Sequence, residues 1–442
     1  MPTPDFDCVV IGAGAAGLAA FADLSRAGYN VLCLEARERI GGRIFTVRDP
    51  LCPVPVELGA EFIHGRPPEI WDIARAAGLG TYDCADASVY IQNGRVQEHM
   101  DAWEPVQHLM NDMQKAAEQG SDQPFSEFLS RSLQPANAKK LSESFVEGFN
   151  AARKEVIGIA SLAKDAQAAD AIDGDRSFRF LSGYDALPLW FYRHALNGKS
   201  RLRLNTIVKG IKWSEGSTAL HVSSVLTERA QTITARRVIV TIPLGVLHAA
   251  SLHWDPVPEQ TLQAASALAV GQVFRVVFRF REAFWEKSTD FADAGFLLSD
   301  ENVFPTWWTT LAVRTPILTG WSAGPHADSL LGQSSNIVIA RAVASLARIL
   351  SVTPEKVEET LERVYFHDWY ADPFAHGAYS YVPAGALAAR QKLSEPVANT
   401  LFFAGEATEL NGHSATVHGA ITSGRRAVEQ ILAADGKPLT TR

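Results

Sequence analysis

Three glycines near the amino terminus, Gly12, Gly14 and Gly17, have the G-x-G-x-x-G spacing of a turn that binds the diphosphate of a dinucleotide. In such a turn the first glycine permits a tight bend, the second lets the backbone approach the phosphates, and the third lets a helix pack on a strand. Ala15 and Ala16 would begin that helix, whose free N–H groups attract phosphate. The alternative is a glycine-rich turn without a ligand.

The elements around these glycines are those that the motif requires. FDCVVI is an apolar run typical of a buried parallel strand, the residues after Gly14 repeat apolar side chains at helical spacing, and YNVLCL is a second apolar strand. Glu35 ends this second strand, where a carboxylate binds both ribose hydroxyl groups and disfavours the 2′-phosphate of NADP. The pattern predicts an α/β, Rossmann-like dinucleotide-binding domain.

Further segments resemble those of the flavin-containing amine oxidase superfamily, which includes monoamine oxidases, polyamine and spermine oxidases, L-amino acid oxidases and lysine-specific histone demethylases. From residue 6 to 432 they are, in order, FDCVVIGAG with ARERIGGRIF, VELGAEFIHG, LSGYDALPLWF with RLRLNTIVKGIKW, RVIVTIPLGVL, HDWYADPFAHGAYSYVPAG, and LFFAGEATELNGHSATVHGAITSGRRAVEQIL. The resemblance implies an FAD-binding domain of the p-hydroxybenzoate hydroxylase-like (GR2) type, interleaved with an α+β substrate domain. We expect the FAD domain at 1–75, 200–250 and 395–435, and the substrate domain at 76–199 and 251–394.

The resemblance also implies which residues contact FAD. Glu406 is expected to hydrogen-bond the ribityl chain, and the helix after Thr416 is expected to point its N-terminus at the pyrimidine ring, where the helix dipole stabilises negative charge on reduced flavin. Beyond the glycine turn, the expected contacts are Glu35, Ala36, Arg37, Gly41, Gly42, Arg43, Gly59, Ala60, Glu61, Phe62, Val208, Thr241, Trp369, Gly405, Glu406, Ala415, Thr416, Val417 and Ala420.

The flavin is expected to be bound without a covalent link. In monoamine oxidases a cysteine carries the flavin, and Ala378 occupies the matching position here. The cysteines of this chain, Cys8, Cys33, Cys52 and Cys84, all lie in its first fifth and none forms a CxxC pair. A disulfide scaffold or a metal site is therefore not expected.

Five residues are candidates for contact with the substrate. The resemblance implies that Tyr379 forms one aromatic wall of a slot and Thr416 the opposite wall; the alternative for Tyr379 is sheet packing. Trp369 matches a tryptophan that lies against the flavin in relatives, or is a core indole. His64 matches a histidine that binds substrate in animal polyamine and spermine oxidases, although a lone histidine is more often structural. Glu61 is a further candidate for contact with a cation.

One position departs from the family pattern. Relatives usually carry a lysine that is bonded through water to flavin N5, and Arg275 in GQVFRVVFRF stands in its place. Strand alternation puts Arg275 on the face opposite Phe274 and Phe278. Arginine keeps the positive charge but does not act as a base. Arg275 would hold the water, bind a substrate carboxylate or point to solvent.

The resemblance implies amine oxidation by hydride transfer from the amine α-carbon to flavin N5, followed by imine hydrolysis and by reoxidation with O₂ that gives H₂O₂. A polyamine or another primary or secondary amine is the expected substrate. The alternatives are an L-amino acid oxidase, a desaturase-like or protoporphyrinogen-oxidase-like enzyme of the same fold, and a flavoprotein that has lost catalysis.

Charge and hydropathy limit the partners. The net charge of −8 disfavours a nucleic-acid partner. No run of about 20 apolar residues suggests a membrane span, and the apolar amino-terminal stretch begins with acidic rather than basic residues. We expect a cytoplasmic monomer or homodimer whose partners are an amine and O₂.

Overall fold

The computed structural model describes residues 4–97, 103–120, 122–196 and 198–438. Its strands, in chain order, are β1 Phe6–Ile11, β2 Val31–Leu34, β3 Thr46–Val47, β4 Val56–Glu57, β5 Ile63–His64, β6 Thr81–Asp83, β7 Ser88–Gln92, β8 Arg95–Val96, β9 Ser177–Phe180, β10 Arg201–Arg203, β11 Thr206–Ser214, β12 Ser217–Ser224, β13 Ala230–Val240, β14 His253–Asp255, β15 Ala269–Val270, β16 Val273–Phe280, β17 Phe296–Ser299, β18 Thr306–Trp308, β19 Ile317–Ala323, β20 Leu361–Phe366, β21 Ser380–Tyr381 and β22 Leu401–Phe403.

The α-helices of the described residues are α1 Ala15–Arg26, α2 Pro68–Ala77, α3 Trp103–Glu118, α4 Phe125–Arg131, α5 Ala136–Asn150, α6 Ile159–Asp170, α7 Ala186–Ala195, α8 Leu244–His248, α9 Glu259–Ser266, α10 Ser335–Ile349, α11 Pro354–Thr360, α12 Leu387–Ser394 and α13 Val417–Ala434. Within these described ranges no single helix has the length and apolarity needed to cross a membrane. Together α10 and α11 meet the length and composition criteria, with a bend of 110° between them.

The largest sheet is built around β1, as the glycine motif predicts. β1 pairs in parallel with β2 on one side and with β13 on the other, and β10 and β22 extend this parallel part beyond β2 and β13. From the start of β13 the sheet continues as an antiparallel ribbon through β12 to β11, and β14 adds in parallel to β11. The predicted Rossmann-like α/β architecture is confirmed.

Helices cover both faces of this sheet. On one face α1, α2, α7 and α13 enclose an apolar core that contains Phe21, Phe191 and Ile431. On the other face α8, α9 and α12 pack over Val9 and Val238. β1 and the last three residues of β13, 238–240, are buried from both sides, which explains their apolar sequences.

The structure moves the expected domain boundaries. β14 continues the largest sheet to Asp255, beyond the expected limit at residue 250. α7 and α12, which we expected in the substrate domain, bury Leu187 and Leu393 against the two faces of the same sheet. An amphipathic helix belongs with the surface that covers its apolar side, so both helices are part of the FAD domain.

The substrate domain contains a second sheet and a helical part. The order of the sheet is β20-β16-β19-β18-β17-β7-β8, with β16 antiparallel to both of its neighbours. Phe274 and Phe278 of β16 face the core under α10, while Val277 faces β3 and β4 of the FAD domain. The predicted alternation of β16 is thus confirmed. Helices α3 to α6 pack around Phe125 and Val146 beside this sheet.

A mostly buried ion pair ties the carboxyl end of α13 to the largest sheet. Arg237 of β13 donates from Nη1 to Asp435 at 2.7 Å, and the Tyr29 hydroxyl donates to the same carboxylate at 2.7 Å. The hydrogen bond from Arg237 is the main cause that lowers the pKa of Asp435 to about 2, although burial opposes it. This contact joins β13, the α1–β2 connection and the last helix.

We predict that Arg237→Gln lowers the free energy of unfolding by about 3 kcal/mol at pH 7, because it leaves a mostly buried carboxylate without its cation. The matched control is Arg236→Gln, since Arg236 lies 3.9 Å from the same carboxylate but is half exposed; its cost should stay below about 1 kcal/mol. Urea unfolding of the two variants measures both values, and equal losses would contradict the assignment. Because the folded pKa of Asp435 is lowered, the stabilisation is present above pH 3.8 and disappears as the pH falls through about 2.

Candidate active site

A cavity of about 1680 Å³ lies between the largest sheet, the second sheet and helices α5 and α6. Its lining includes every residue that the sequence assigns to FAD or to the substrate, with the exception of Gly17. The glycine turn and the C-terminal segments therefore border one continuous space. The volume exceeds that of an ordinary small-ligand pocket, which leaves room for a dinucleotide together with a substrate.

The glycines of the turn differ in what surrounds them. A Cβ at Gly17 would lie 1.9 Å from the carbonyl oxygen of Gly12, so Gly17 permits α1 to pack against the end of β1. Gly12 has φ +104°, and a Cβ there would meet Thr241 Oγ1 at 2.7 Å. A Cβ at Gly14 would meet nothing within 4 Å, because that side of the turn opens into the cavity. This opening fits the close approach of a diphosphate to the backbone.

Glu35 lies beside this opening at the end of β2. It accepts hydrogen bonds from the backbone N–H groups of Ala13 at 2.8 Å and Arg37 at 2.9 Å. Burial raises the pKa of Glu35, and these two hydrogen bonds oppose the rise. A carboxylate offers about four acceptor sites, so Glu35 keeps capacity for hydroxyl donors in the cavity. The glycine opening, the uncapped N-terminus of α1 and this acid together fit a dinucleotide.

Arg43 and Glu406 form a second polar group along the cavity. Arg43 donates from Nη1 to the carbonyl of Ala378 at 2.6 Å and to Glu406 at 2.9 Å. The Ser380 hydroxyl donates to the other oxygen of Glu406 at 2.6 Å. Glu406 thus holds three segments of the chain together. Its expected hydrogen bond to the ribityl chain stays a prediction.

The N-terminus of α13 also borders the cavity. Thr416 caps this helix, since its Oγ1 accepts from the backbone N–H of Gly419 at 3.0 Å and donates to the carbonyl of His413 at 2.6 Å. The N–H groups of Val417 and His418 lie in the first turn, where a helix offers no internal acceptor. Both residues line the cavity. Thr416 therefore has a structural role whether or not it forms a wall of the substrate slot.

Trp369 is both a core residue and part of the cavity wall. Its Nε1 donates to the carbonyl of Leu58 at 2.8 Å, and only 4% of the residue is exposed. A Cβ at Gly59 would lie 3.3 Å from the indole ring. A position in the core and a position against the flavin, the two alternatives that the sequence offers for Trp369, are therefore compatible.

The aromatic slot has walls from both domains. Tyr379 donates its hydroxyl to the carbonyl of Phe149 at 2.7 Å, and Phe149 stacks on Phe145 with ring centroids 5.4 Å apart. The ring of His64 meets Phe149 edge-on at 5.5 Å. Phe145 and Phe149 lie on α5 and line the cavity. The sequence analysis did not identify them, because an apolar residue on a helix does not show which partner it meets in the folded protein.

Two histidines that face the cavity are neutral at physiological pH. Burial lowers the pKa of His64 to about 4, and its Nδ1 lies 3.4 Å from the Ser177 hydroxyl. Burial, with help from His413 and His64, lowers the pKa of His418 to about 3. Among the described residues no three His, Cys, Asp or Glu side chains are grouped as metal ligands. These imidazoles are hydrogen-bonding groups that do not repel an ammonium ion.

A buried carboxylate with two cations stands where the two domains meet. Glu61 pairs with Arg179 Nε at 2.6 Å and with Arg275 Nη2, and it accepts from Trp308 Nε1 at 3.1 Å. Arg275 Nη1 also donates to the carbonyl of Gly59 at 2.7 Å. Burial alone would raise the pKa of Glu61, but Arg179 and Arg275 outweigh it and hold that pKa below its ordinary value. Glu61 is therefore ionised.

This arrangement corrects two expectations from the sequence. Arg275 does not point to solvent, since only 4% of it is exposed. Glu61 is not free to bind a substrate cation, because both of its carboxylate oxygens already contact guanidinium groups. The sequence analysis did not identify Arg179 as a site residue, because nothing in the sequence of the short strand β9 indicates that its side chain contacts Glu61.

The cysteines lie away from the cavity. Cys8 and Cys33 are buried in the core under α1, and Cys52 lies next to Tyr365. Neither these three nor Cys84 lines the cavity, and Ala378 does.

The glycine turn gives a matched pair of variants. Gly14→Ala should leave the stability of the apoprotein unchanged and weaken FAD binding by at least about tenfold, because its methyl group enters the cavity with an allowed φ of −77°. Gly17→Ala should instead destabilise the apoprotein by about 1–3 kcal/mol, since the methyl group meets the Gly12 carbonyl. Fluorescence titration with FAD and urea unfolding measure these values, and a stability loss at Gly14 equal to that at Gly17 would contradict the account.

Comparison with known proteins agrees with this geometry. The family model described as "Flavin containing amine oxidoreductase" matches residues 15–432. The chain is 28% identical to lysine-specific histone demethylase 1 homolog 3 of Arabidopsis thaliana over 96% of its own length, but spans only 30% of that protein. It is 27% identical to polyamine oxidase 2 of Arabidopsis thaliana over 97% of this chain and 88% of that one.

The structure also resembles a solved structure of putrescine oxidase bound to putrescine, with a TM-score of 0.81 and 22% identity over 97% of this chain and 99% of that one. That likeness shows a shared fold. The cofactor of the protein is FAD, and its non-covalent attachment, expected from Ala378, stays a prediction. Because the family model covers nearly the whole chain, the protein belongs to the flavin-containing amine oxidoreductases.

Proposed function

We propose that the protein oxidises small primary or secondary amines that carry no carboxylate group, and polyamines in particular. One observation carries this proposal: each arginine that lines the cavity already has an acidic partner. Arg37 pairs with Asp372 at 2.7 Å, Arg43 with Glu406 at 2.9 Å, and Arg275 with Glu61. Among the described residues that line the cavity, a substrate carboxylate would therefore meet no unpaired guanidinium group, which disfavours an L-amino acid oxidase.

The part of the cavity lined by α5, α6 and the residues just after α6 favours cations. Its lining there contains one lysine, Lys140, and five carboxylates, Glu143, Glu147, Asp165, Asp170 and Asp175; of these, Glu143 pairs with Lys154, which is not part of the lining. Such an excess of acids attracts a polycation and orients it along the passage. The similarity to polyamine oxidases of plants supports the same substrate class.

The residues of the slot would bind the amine in its reactive, uncharged form. Burial among Tyr379, Phe149 and His64 lowers the pKa of an amine, because a low-dielectric surrounding disfavours the ammonium form. The aromatic faces attract the cation before it loses its proton. When bound, FAD accepts a hydride equivalent from the amine α-carbon. The resulting imine would be hydrolysed, and O₂ would be reduced to H₂O₂.

The proposal predicts which compounds bleach the flavin spectrum. We expect spermidine, spermine or putrescine to reduce the bound flavin under anaerobic conditions, while L-amino acids leave it oxidised. A stopped-flow spectrum of each mixture measures the rate. If only amino acids reduce the flavin, the proposed substrate class is wrong. If no amine reduces the flavin, the proposed amine oxidation is refuted.

Asp165 of α6 provides a test of the acidic passage. Its Oδ2 accepts from the Ser414 hydroxyl at 3.1 Å, whereas its buried Oδ1 has no hydrogen-bond donor among the described residues, with Arg390 at 4.0 Å. Burial raises the pKa of Asp165 to about 7, although Arg390 opposes the rise. The carboxylate is therefore ionised above pH 7 and loses its charge below it.

We predict that Asp165→Asn raises the KM for spermidine about fivefold at pH 8, roughly the loss of one partly solvated ion pair, and leaves the KM for a monoamine unchanged. The variant and the parent protein should converge at pH 6, where Asp165 is protonated. Asp112→Asn is the control, because Asp112 is a half-exposed acid of α3 that does not line the cavity. Steady-state kinetics at both pH values measures these KM values. An equal change in KM for spermidine and for the monoamine would contradict the role of Asp165 in binding a second positive charge of the substrate.

A further inference from the structure

The cluster of Arg179, Glu61 and Arg275 combines three charged groups that are all more than nine-tenths buried. Burial alone would lower the pKa of Arg179, but Glu61 raises it above its ordinary value. With Glu61 ionised as well, two guanidinium groups and one carboxylate leave a net charge of +1. A lone Glu61–Arg275 pair would leave no net charge.

We propose that Arg179 is a positioning residue of the reaction centre, which acts through Glu61 and preserves one net positive charge beside the flavin. Without Arg179, the carboxylate of Glu61 would cancel the charge of Arg275. With Arg179, the carboxylate is shared between two cations, and it fixes Arg275 in place while the surplus charge remains. The inference rests on FAD as the cofactor and does not depend on which amine is oxidised.

The cluster lies at the part of the cavity where the two domains meet. Arg275 sits on β16 two residues after Val273, whose side chain packs in one cluster with Ala378 and Tyr379. Arg275 also holds the Gly59 carbonyl, and Gly59 lies against Trp369. These neighbours place the charge at the flavin-contacting segments of the C-terminal half and not at the glycine turn.

Aromatic side chains fix the geometry of the cluster. Arg179 lies over the ring of Phe62 at 4.7 Å and donates from Nη2 to the carbonyl of Thr309 at 3.1 Å. Arg275 lies over the ring of Trp308 at 5.4 Å, and the same indole donates to Glu61. Each cation is therefore held from two sides.

The other ionisable groups near the cluster leave this charge balance unchanged at pH 6. Burial raises the pKa of Tyr82 and that of Cys84 to about 12, so both stay neutral. Burial raises the pKa of Glu57 to about 7. Glu57 accepts hydrogen bonds from the Tyr184 backbone and the Thr46 hydroxyl, and it also interacts electrostatically with Glu61 and Arg275. It is therefore mostly protonated at pH 6, whereas at pH 8 it adds a negative charge beside the cluster.

A fixed positive charge near the flavin favours the reduced, more negative cofactor over the oxidised one. By Coulomb's law at an effective dielectric constant of about 20, one charge at about 10 Å changes the ratio of the two affinities by about tenfold. We expect Arg179→Gln to lower the preference for reduced FAD about tenfold, and Glu61→Gln to raise it by a similar factor. The double variant should return close to the parent value, because its net charge is again +1.

The test is the reduction potential of the bound flavin, measured against a redox dye in the FAD-loaded protein at pH 6, where Glu57 is mostly protonated. This measurement uses no amine, so its failure is separate from that of the proposed substrate class. Arg176→Gln is the matched control, since Arg176 lies just before β9 but pairs with Asp83 at the surface. It should leave the potential unchanged. Arg179→Lys should keep the parent potential because it keeps the charge.

A merely structural role for Arg179 gives a different pattern. It predicts that Arg179→Gln and Glu61→Gln shift the potential in the same direction and that the double variant is worse than either. That pattern, or an unchanged reduction potential in both single variants, would overturn the proposal.

If Arg179→Gln does not fold, the proposal is tested with Arg179→Lys and Glu61→Gln. An unchanged reduction potential in Glu61→Gln would then contradict the charge argument.

Discussion

The carboxylate of Glu61 lies between two guanidinium groups, and the geometry of the cavity depends on this contact. Glu61 follows the Gly59–Ala60 segment of the FAD domain, while Arg275 comes from the second sheet and Arg179 from β9. Removing either cation would leave a buried charge incompletely paired, which is among the costly changes in a protein interior. The contact therefore couples the relative position of the two sheets to the wall of the slot.

The same constraint bears on chemistry. Because Arg275 is held by Glu61 and by the Gly59 carbonyl, it is not available to a substrate carboxylate. The slot is left with aromatic faces and neutral imidazoles, and acids of α5 and α6 line the same cavity. Acids attract a cation, while the apolar surroundings of the slot favour its uncharged form.

The sequence predicts the FAD domain well because its requirements are local. Gly12, Gly14 and Gly17 lie within one turn, and the N-cap Thr416 lies three residues before Gly419, whose backbone N–H donates to it. Arg179 and Phe149 were missed, since their partners are far along the chain and only the folded substrate domain brings them together. The role of Arg275 was left open for the same reason: a strand pattern shows which face a side chain takes but not what it meets.

A crystal structure of the FAD-loaded protein tests the central claim most directly. We expect the diphosphate of FAD at the opening beside Gly14, no bond between the flavin and any side chain, and Glu61 between Arg179 and Arg275 as described here. Density that shows Arg275 turned into the cavity, with Glu61 bound to Arg179 alone, would contradict the account.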